Sequence, residues 1–284
     1  MLSIRALYKK RPIGASAAGT LIHSLKRGML PLMTRHALAR EAGAIEARLA
    51  PLGTIRRAAG AKAYLKSPLR FLGNDTPALR REVRGWRAGH PDWNIDAVCG
   101  LTEAVWRRRV FELRIFALEL LVARSGELEP RHLDLLERLL RNSGTWALVD
   151  VIAPRLIGPL LTRHPRAAGR VLDRWARDED FWMRRAALLA LLLPMRRGDG
   201  DWQRFERYAD PLLDDREFFI RKAIGWLLRE AAARQPGSVV AFLTPRLDRF
   251  SGVTWREATR KLPARDRLRL DAARARALDA TAIR

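Results

Sequence analysis

Apolar residues recur at three- and four-residue intervals through most of this 284-residue chain, and two-residue alternation is nowhere sustained. That period predicts helices throughout and no sheet. The stretch "VFELRIFALELLVARSG" (110–126) reads as one helix closed by Gly126, and Pro130 opens the next, "PRHLDLLERLLRN". Asp180 is placed to cap "FWMRRAALLALLLP", which Pro194 should stop, and Asp214 or Asp215 to cap "REFFIRKAIGWLLREAAAR". A further helix is expected near residues 30–50. The longest apolar run, "AALLALLLP" (186–194), is a core segment far shorter than the roughly 20 residues a membrane helix needs.

The pattern also repeats. "FWMRRAALLALL" (181–192) superimposes on "FFIRKAIGWLLR" (218–229): two aromatics, an apolar residue, two bases, then Ala. A looser version, "VWRRRVFELRIFALELL", lies about two periods upstream. A period near 40 built from helix pairs is the signature of HEAT-type solenoids. The expected fold is therefore all-α, an α-solenoid of HEAT-like helical repeats (an ARM-type superhelix) with a concave basic groove. The repeated basic pairs, Arg184–Arg185 and Arg221–Lys222, would line that face and follow a phosphate backbone, or else be solvated helix starts. Three segments are expected: a weakly ordered basic extension over 1–45, the repeat domain over 46–265, and an Arg/Ala-rich tail over 266–284.

Composition adds a partner. Lys and Arg number 54 against 31 Asp and Glu, a net charge of +23 with a sequence pI near 11.5. Such an excess points to a polyanion, nucleic acid first, although an Arg- and Ala-rich chain also arises from GC-rich coding. The first 40 residues lack any acid and resemble a basic arm or transit peptide, or precede a true start at Met29 or Met33. Cys99 stands alone, so no internal disulfide forms, in keeping with a reducing cytoplasm. The five histidines are scattered, with none in an H-x-x-x-H pair, and "GTIRRAAGAK" (53–62) lacks phosphate-loop spacing. No metal and no cofactor are expected.

The chemistry gathers at "SGTWALVD" (143–150), where Trp146 and Asp150 share one helical face a turn apart. From the residues alone, Asp150 is either paired with Arg155 or Arg141 beside a packing tryptophan, or helps hold something cationic. Trp182 reads as packing between helices. Together, "FLGNDTP" (71–77), "TWALVDVIAP" (145–154), "FWMRRAAL" (181–188) and "EFFIRKAIGWLLRE" (217–230), followed by "WREATRKL" (255–262), resemble the AlkD-like DNA alkylation repair family over roughly residues 60–262. These are HEAT-like DNA glycosylases that excise cationic alkylated purines. The resemblance puts the family's lesion-contacting tryptophan at Trp146 and its essential aspartate at Asp150. It puts an arginine expected to grip phosphate at Arg185, a second pocket tryptophan at Trp226, and a tyrosine at Tyr64. The chain departs at "GNDTP", where Asn74 and Asp75 bring an acid to a stretch expected near DNA.

This residue set suits that chemistry. A glycosidase ordinarily needs two carboxyl groups. A purine alkylated at N3 or N7 is already cationic, so its leaving needs no acid, and one carboxylate can stabilise the oxocarbenium-like sugar and orient water. Indole faces attract the cation. The expectation is a monomeric cytoplasmic, nucleoid-associated glycosylase acting on 7-alkylguanine and 3-alkyladenine in duplex DNA, with no membrane contact. Its rivals are a non-catalytic relative that binds branched or distorted DNA, and a scaffold for an acidic protein.

Overall fold

The computed structural model describes residues 34–282. The expected basic arm or transit peptide falls mainly on residues 1–33 and lies outside the described residues. Among the described residues there is no β-strand; one isolated parallel bridge joins Arg70 and Val110. The helices group into two compact units, the first ending at Ala123 and the second beginning at Arg124.

The first unit contains α1 (Arg35–Leu49), α2 (Ile55–Leu65), α3 (Thr76–Gly89), α4 (Ile95–Arg107) and α5 (Phe111–Ala123). Polar residues set the starts. Thr34, Thr54, Asp75 and Asn94 each accept a hydrogen bond from a backbone N–H two or three residues into the helix that follows. Helix α1 buries Leu38, Ala42, Ile45 and Leu49, a stripe at i, i+4, i+7 and i+11, and packs against α4. Full burial of each large side chain in that stripe contributes about 1.5–3 kcal/mol, enough to fix the helix. The folded unit thus begins before the expected boundary at residue 46. The "GNDTP" departure has a structural explanation: Asp75 caps α3 at the Ala78 N–H (2.8 Å), and the buried Asn74 donates to the Leu49 carbonyl (2.8 Å).

The second unit is a run of paired helices: α6 (Leu133–Arg141), α7 (Trp146–Ile152) and α8 (Gly158–Arg163); α9 (Pro165–Trp175), α10 (Phe181–Leu189) and α11 (Leu192–Arg197); α12 (Trp202–Ala209) and α13 (Phe218–Ala232); α14 (Pro236–Leu243) and α15 (Gly252–Thr259); then α16 (Ala264–Ala282). The second helices pack in series, α7 on α10, α10 on α13, and α13 on α15. The first helices are joined by polar bonds spaced one repeat apart. Glu137 accepts from Trp175 (3.1 Å) and Arg174, Asp173 from Arg204 (3.0 Å) and Tyr208 (2.6 Å), and Asp210 from Arg246 (2.6 Å) and Arg249 (3.0 Å). These pairs lie 31 to 39 residues apart in sequence. Such a ladder is what a repeat of about 37 residues produces.

Three local expectations differ from the structure. Helix α10 ends at Leu189, and Pro194 lies inside α11 rather than stopping the preceding helix. The break falls where the Ala190 carbonyl meets the preceding repeat: a Cβ on Gly158 would lie 2.7 Å from it. Helix α13 is preceded by Glu217, with no side-chain cap; Asp215 instead accepts from the Glu217 N–H (2.8 Å) and pairs with Arg184 (2.9 Å). Helix α5 closes at Ala123, and Gly126 lies in a short 3-10 turn. The Arg/Ala-rich tail is helical, held by the buried Leu270 and by Arg274, which donates to the Leu247 and Phe250 carbonyls (3.2 and 2.7 Å).

Candidate active site

Helix α7 is short for a reason visible in the sequence. Thr145 caps it, and Pro154 follows Asp150 by four residues. Proline has no N–H for the carbonyl four positions back, and its ring crowds that carbonyl. The chain answers with a wide π turn over Ala153–Ile157 before α8 resumes. Single π turns of this kind are found frequently at functional sites. The interruption leaves Asp150 near the end of α7, with Trp146 one turn before it.

Asp150 is buried at 4% exposure. Arg185, from α10 of the next repeat, meets it with a two-pronged bond: Nε to Oδ1 at 2.8 Å and Nη2 to Oδ2 at 2.9 Å. The guanidinium is buried too, at 2%, and its Nη1 donates to the Phe219 carbonyl in the first turn of α13. Its carbon also lies 5.7 Å from the centroid of the Phe219 ring. Three successive helices are thus tied at one point. The planar fork of arginine matches a carboxylate in this way, whereas lysine could not make both bonds with fixed geometry.

Trp146 and Trp226 are both half-buried. Trp226 lies two turns along α13 from Phe219, and so on nearly the same side of that helix. Phe181, Trp182 and Phe219 cluster beside the ion pair, with Trp182 and Phe219 centroids 5.0 Å apart, so Trp182 packs between α10 and α13. Tyr64 lies on α2 in the first unit and is 64% exposed. The structure therefore places four of the five expected residues on the linked helices α7, α10 and α13, and the fifth in the other unit.

The arginines behave differently from expectation. Arg185 was expected at a DNA phosphate, yet it is turned inward onto Asp150. Arg184 donates to Asp215 (3.0 Å) and to the Asp178 and Glu179 carbonyls, and Arg221 to the Asp215 carbonyl (2.8 Å). Of the two repeated basic pairs, only Lys222 is exposed, its ammonium 5.5 Å from the centroid of the half-exposed Phe218 ring. The physical reason is the density of unmet acids and carbonyls between repeats, which draws the nearest guanidinium groups inward. A second feature that the sequence reading passed over is a wide, open, charged cleft of about 650 Å³ lined by Arg141, Asp173, Arg174, Arg177, Asp178 and Glu179. Its acids and bases largely neutralise one another, as in the Arg141–Asp178 pair at 2.7 Å. Among the described residues, no group of three or more His, Cys, Asp or Glu side chains is arranged to hold a metal ion. No helix among them is long and apolar enough to cross a membrane.

Comparison with known proteins decides the family. Residues 45–262 match the family described as DNA alkylation repair enzyme. The chain belongs to that family. Among solved structures, a predicted DNA alkylation repair enzyme from Enterococcus faecalis is similar, with a TM-score of 0.67, 22% identity, 75% of this chain and 97% of that one covered. That likeness bears on the fold and agrees with a helical-repeat architecture. AlkD2 from Streptococcus mutans gives a TM-score of 0.49 at 16% identity, covering 66% of this chain and 91% of that one. No curated protein matches significantly.

Proposed function

We propose that this member of the DNA alkylation repair family is a glycosylase that hydrolyses the N-glycosidic bond of cationic alkylpurines, 7-alkylguanine and 3-alkyladenine, in duplex DNA. The observation that carries the reading is a buried acid, Asp150, one turn behind a half-buried tryptophan and fixed by an arginine from the next repeat. Asp150 supplies the negative charge against which an oxocarbenium-like sugar develops, and it orients the attacking water. Fixed charge in a site of low water content stabilises a transition state without reorganising, which is why burial favours the role. Trp146 and Trp226 offer indole faces to the positively charged base, and selection rests on charge rather than on hydrogen bonds to the base edge. Arg185 acts as a positioning residue: it aims both carboxylate oxygens. Tyr64 contacts the DNA backbone from the first unit. The leaving purine carries its own positive charge, so no second carboxyl group is required.

One observation favours the rival reading, a DNA-binding relative without catalysis. Arg185 occupies a position on each oxygen of Asp150, and the pair is almost fully covered. Incubation of the protein with methylated duplex DNA, followed by chromatography of the free bases, separates the two. Release of 7-methylguanine or 3-methyladenine, abolished in Asp150→Asn while DNA binding persists, supports the glycosylase. Binding with no release establishes the rival.

A further inference from the structure

Two residues of the first unit hold a backbone conformation that their side chains disfavour. Lys66, at the C-terminal end of α2, has φ 47° and ψ 40°, and Arg109, two residues past α4, has φ 55°. Among the described residues these are the non-glycine positions with positive φ. Left-handed backbone brings Cβ against the following carbonyl, so helices that end this way usually place Gly there, and Asn next most often. Here both positions carry a long cation.

The fold brings the two loops together. Arg70 and Val110 form the parallel bridge, the Arg70 N–H donates to the Arg109 carbonyl (3.0 Å), and the Phe111 N–H donates to the Arg70 carbonyl (2.9 Å). The loops after α2 and after α4 therefore lie side by side. The nearby acid, Glu46, is already engaged by Arg70 and Arg108. Lys66, Arg107 and Arg109 are exposed, and among the described residues none of their side chains has an acidic partner. The excess charge is felt inside the unit: burial, and then the charge of Arg109, push the Arg114 guanidinium down to about 10. The negative ends of the helix dipoles do not explain the cations, because the last turns of α2 and α4 already carry Lys62 and Arg107.

We propose that Lys66 and Arg109 form a phosphate-binding pair that contacts the backbone of duplex DNA, the left-handed turns serving to project both cations from adjoining loops. This rests on the DNA-repair reading given above and adds a contact surface in the first unit, built from residues other than Asp150 and its partners. Strain retained at a charged position is the mark of a side chain kept for contact, since glycine would relieve the backbone at both sites.

The test uses the full chain and an undamaged fluorescent 20-base-pair duplex, with anisotropy measured from 50 to 200 mM NaCl. The double variant Lys66→Gly/Arg109→Gly should melt at the same temperature as the wild type or higher. Its plot of log K against log salt should be shallower by about 2, since each phosphate contact contributes ~0.9 to the slope. The affinity gap then widens about sevenfold for every threefold drop in salt. The charge-retaining variant Lys66→Arg/Arg109→Lys should restore the wild-type slope. If the glycine variant fails to fold, Lys66→Asn/Arg109→Asn gives the same readout, because Asn also tolerates this conformation. A glycine variant that melts higher but keeps the wild-type slope overturns the phosphate pair, while a steep wild-type slope leaves the DNA reading standing. A wild-type protein that binds no DNA defeats both.

Discussion

Asp150→Asn probes the centre of the site, and its cost follows from burial. The substitution keeps the shape and removes the charge, leaving a guanidinium whose side chain is 3% exposed, with one amide oxygen and the Phe219 carbonyl as acceptors and an NH2 donor turned against its second prong. Breaking one side of a buried pair costs about 3–5 kcal/mol. A domain has about 5–15 kcal/mol in total, so the second unit should lose a large share of its margin. At roughly 2–4 °C per kcal/mol for a unit of this size, the melting point should fall by about 6–20 °C. Removing both charges, as Asp150→Leu with Arg185→Met, should recover most of that loss, because no unpaired charge stays buried. Urea denaturation followed by near-ultraviolet circular dichroism measures the stabilities. Release of 7-methylguanine, assayed well below each transition, measures the chemistry. The glycosylase reading requires both variants to be inactive although only the single one is badly destabilised. A single variant within about 1 kcal/mol of wild type would refute the buried pair, which should cost at least three times that. A double variant that excises at the wild-type rate would refute any chemical role for Asp150.

Trp146→Ala and Trp226→Ala should each slow excision of the cationic base by about 2- to 30-fold, the kinetic equivalent of a 0.5–2 kcal/mol contact between a ring face and a cation, with binding to undamaged duplex unchanged. Equal losses of excision and of undamaged-DNA binding would refute selection by charge. Gly225→Ala should destabilise the second unit by about 1–3 kcal/mol in urea melts, because its Cβ would lie 2.7 Å from Glu257 Cβ and 2.9 Å from the Thr254 carbonyl where α13 meets α15. The pH profile should have two limbs of opposite origin. The Arg141 hydrogen bond holds Asp178 below the usual carboxylate range, with burial opposing, and the Arg246 bond does the same for Asp210. Their stabilisation is present above the unfolded carboxylate value and lost as pH falls through the lower folded one, so Asp178→Asn should flatten the acid limb. Glu112 runs the other way. Burial raises its pKa despite the Leu72 and Gly73 N–H donors, so its contribution is full below the unfolded value and declines as pH rises through the folded one. Glu112→Gln should remove that decline, measured as unfolding free energy between pH 4 and 7; an unchanged slope would count against it.

Helices and repeat were legible because their signals are periodic and redundant. The helical spacing over 110–126 and the thirty-seven-residue echo between α10 and α13 each rest on several residues, so no single exception erases them. Boundaries resting on one residue fared unevenly. Asp180 does cap α10, its carboxylate accepting from the Trp182 N–H (2.8 Å) with no cation paired to it among the described residues. Asp215 lies next to a comparable start, yet its oxygens serve Arg184 and the Glu217 N–H. Pro194 is accommodated in the first turn of a new helix, where a missing N–H costs nothing.

The pairing of Asp150 with Arg185 shows what a repeat adds to such reasoning. Local spacing offered Arg155, five residues on, or Arg141, nine residues back. In a solenoid, however, the nearest neighbour in space is often one period away in sequence. Asp150 and Arg185 are 35 residues apart, within the range spanned by the Glu137, Asp173 and Asp210 bonds. Counting one period forward from a buried acid was the available signal. The same register lowers the weight that bulk charge can carry. Arginines 141, 174, 185, 196, 204, 246 and 249 all bind acids of neighbouring repeats. A net charge of +23 therefore overstates how many cations can meet a phosphate. The informative ones are those the fold does not use, and Lys66 and Arg109 stand out because the backbone beneath them would be better served by glycine.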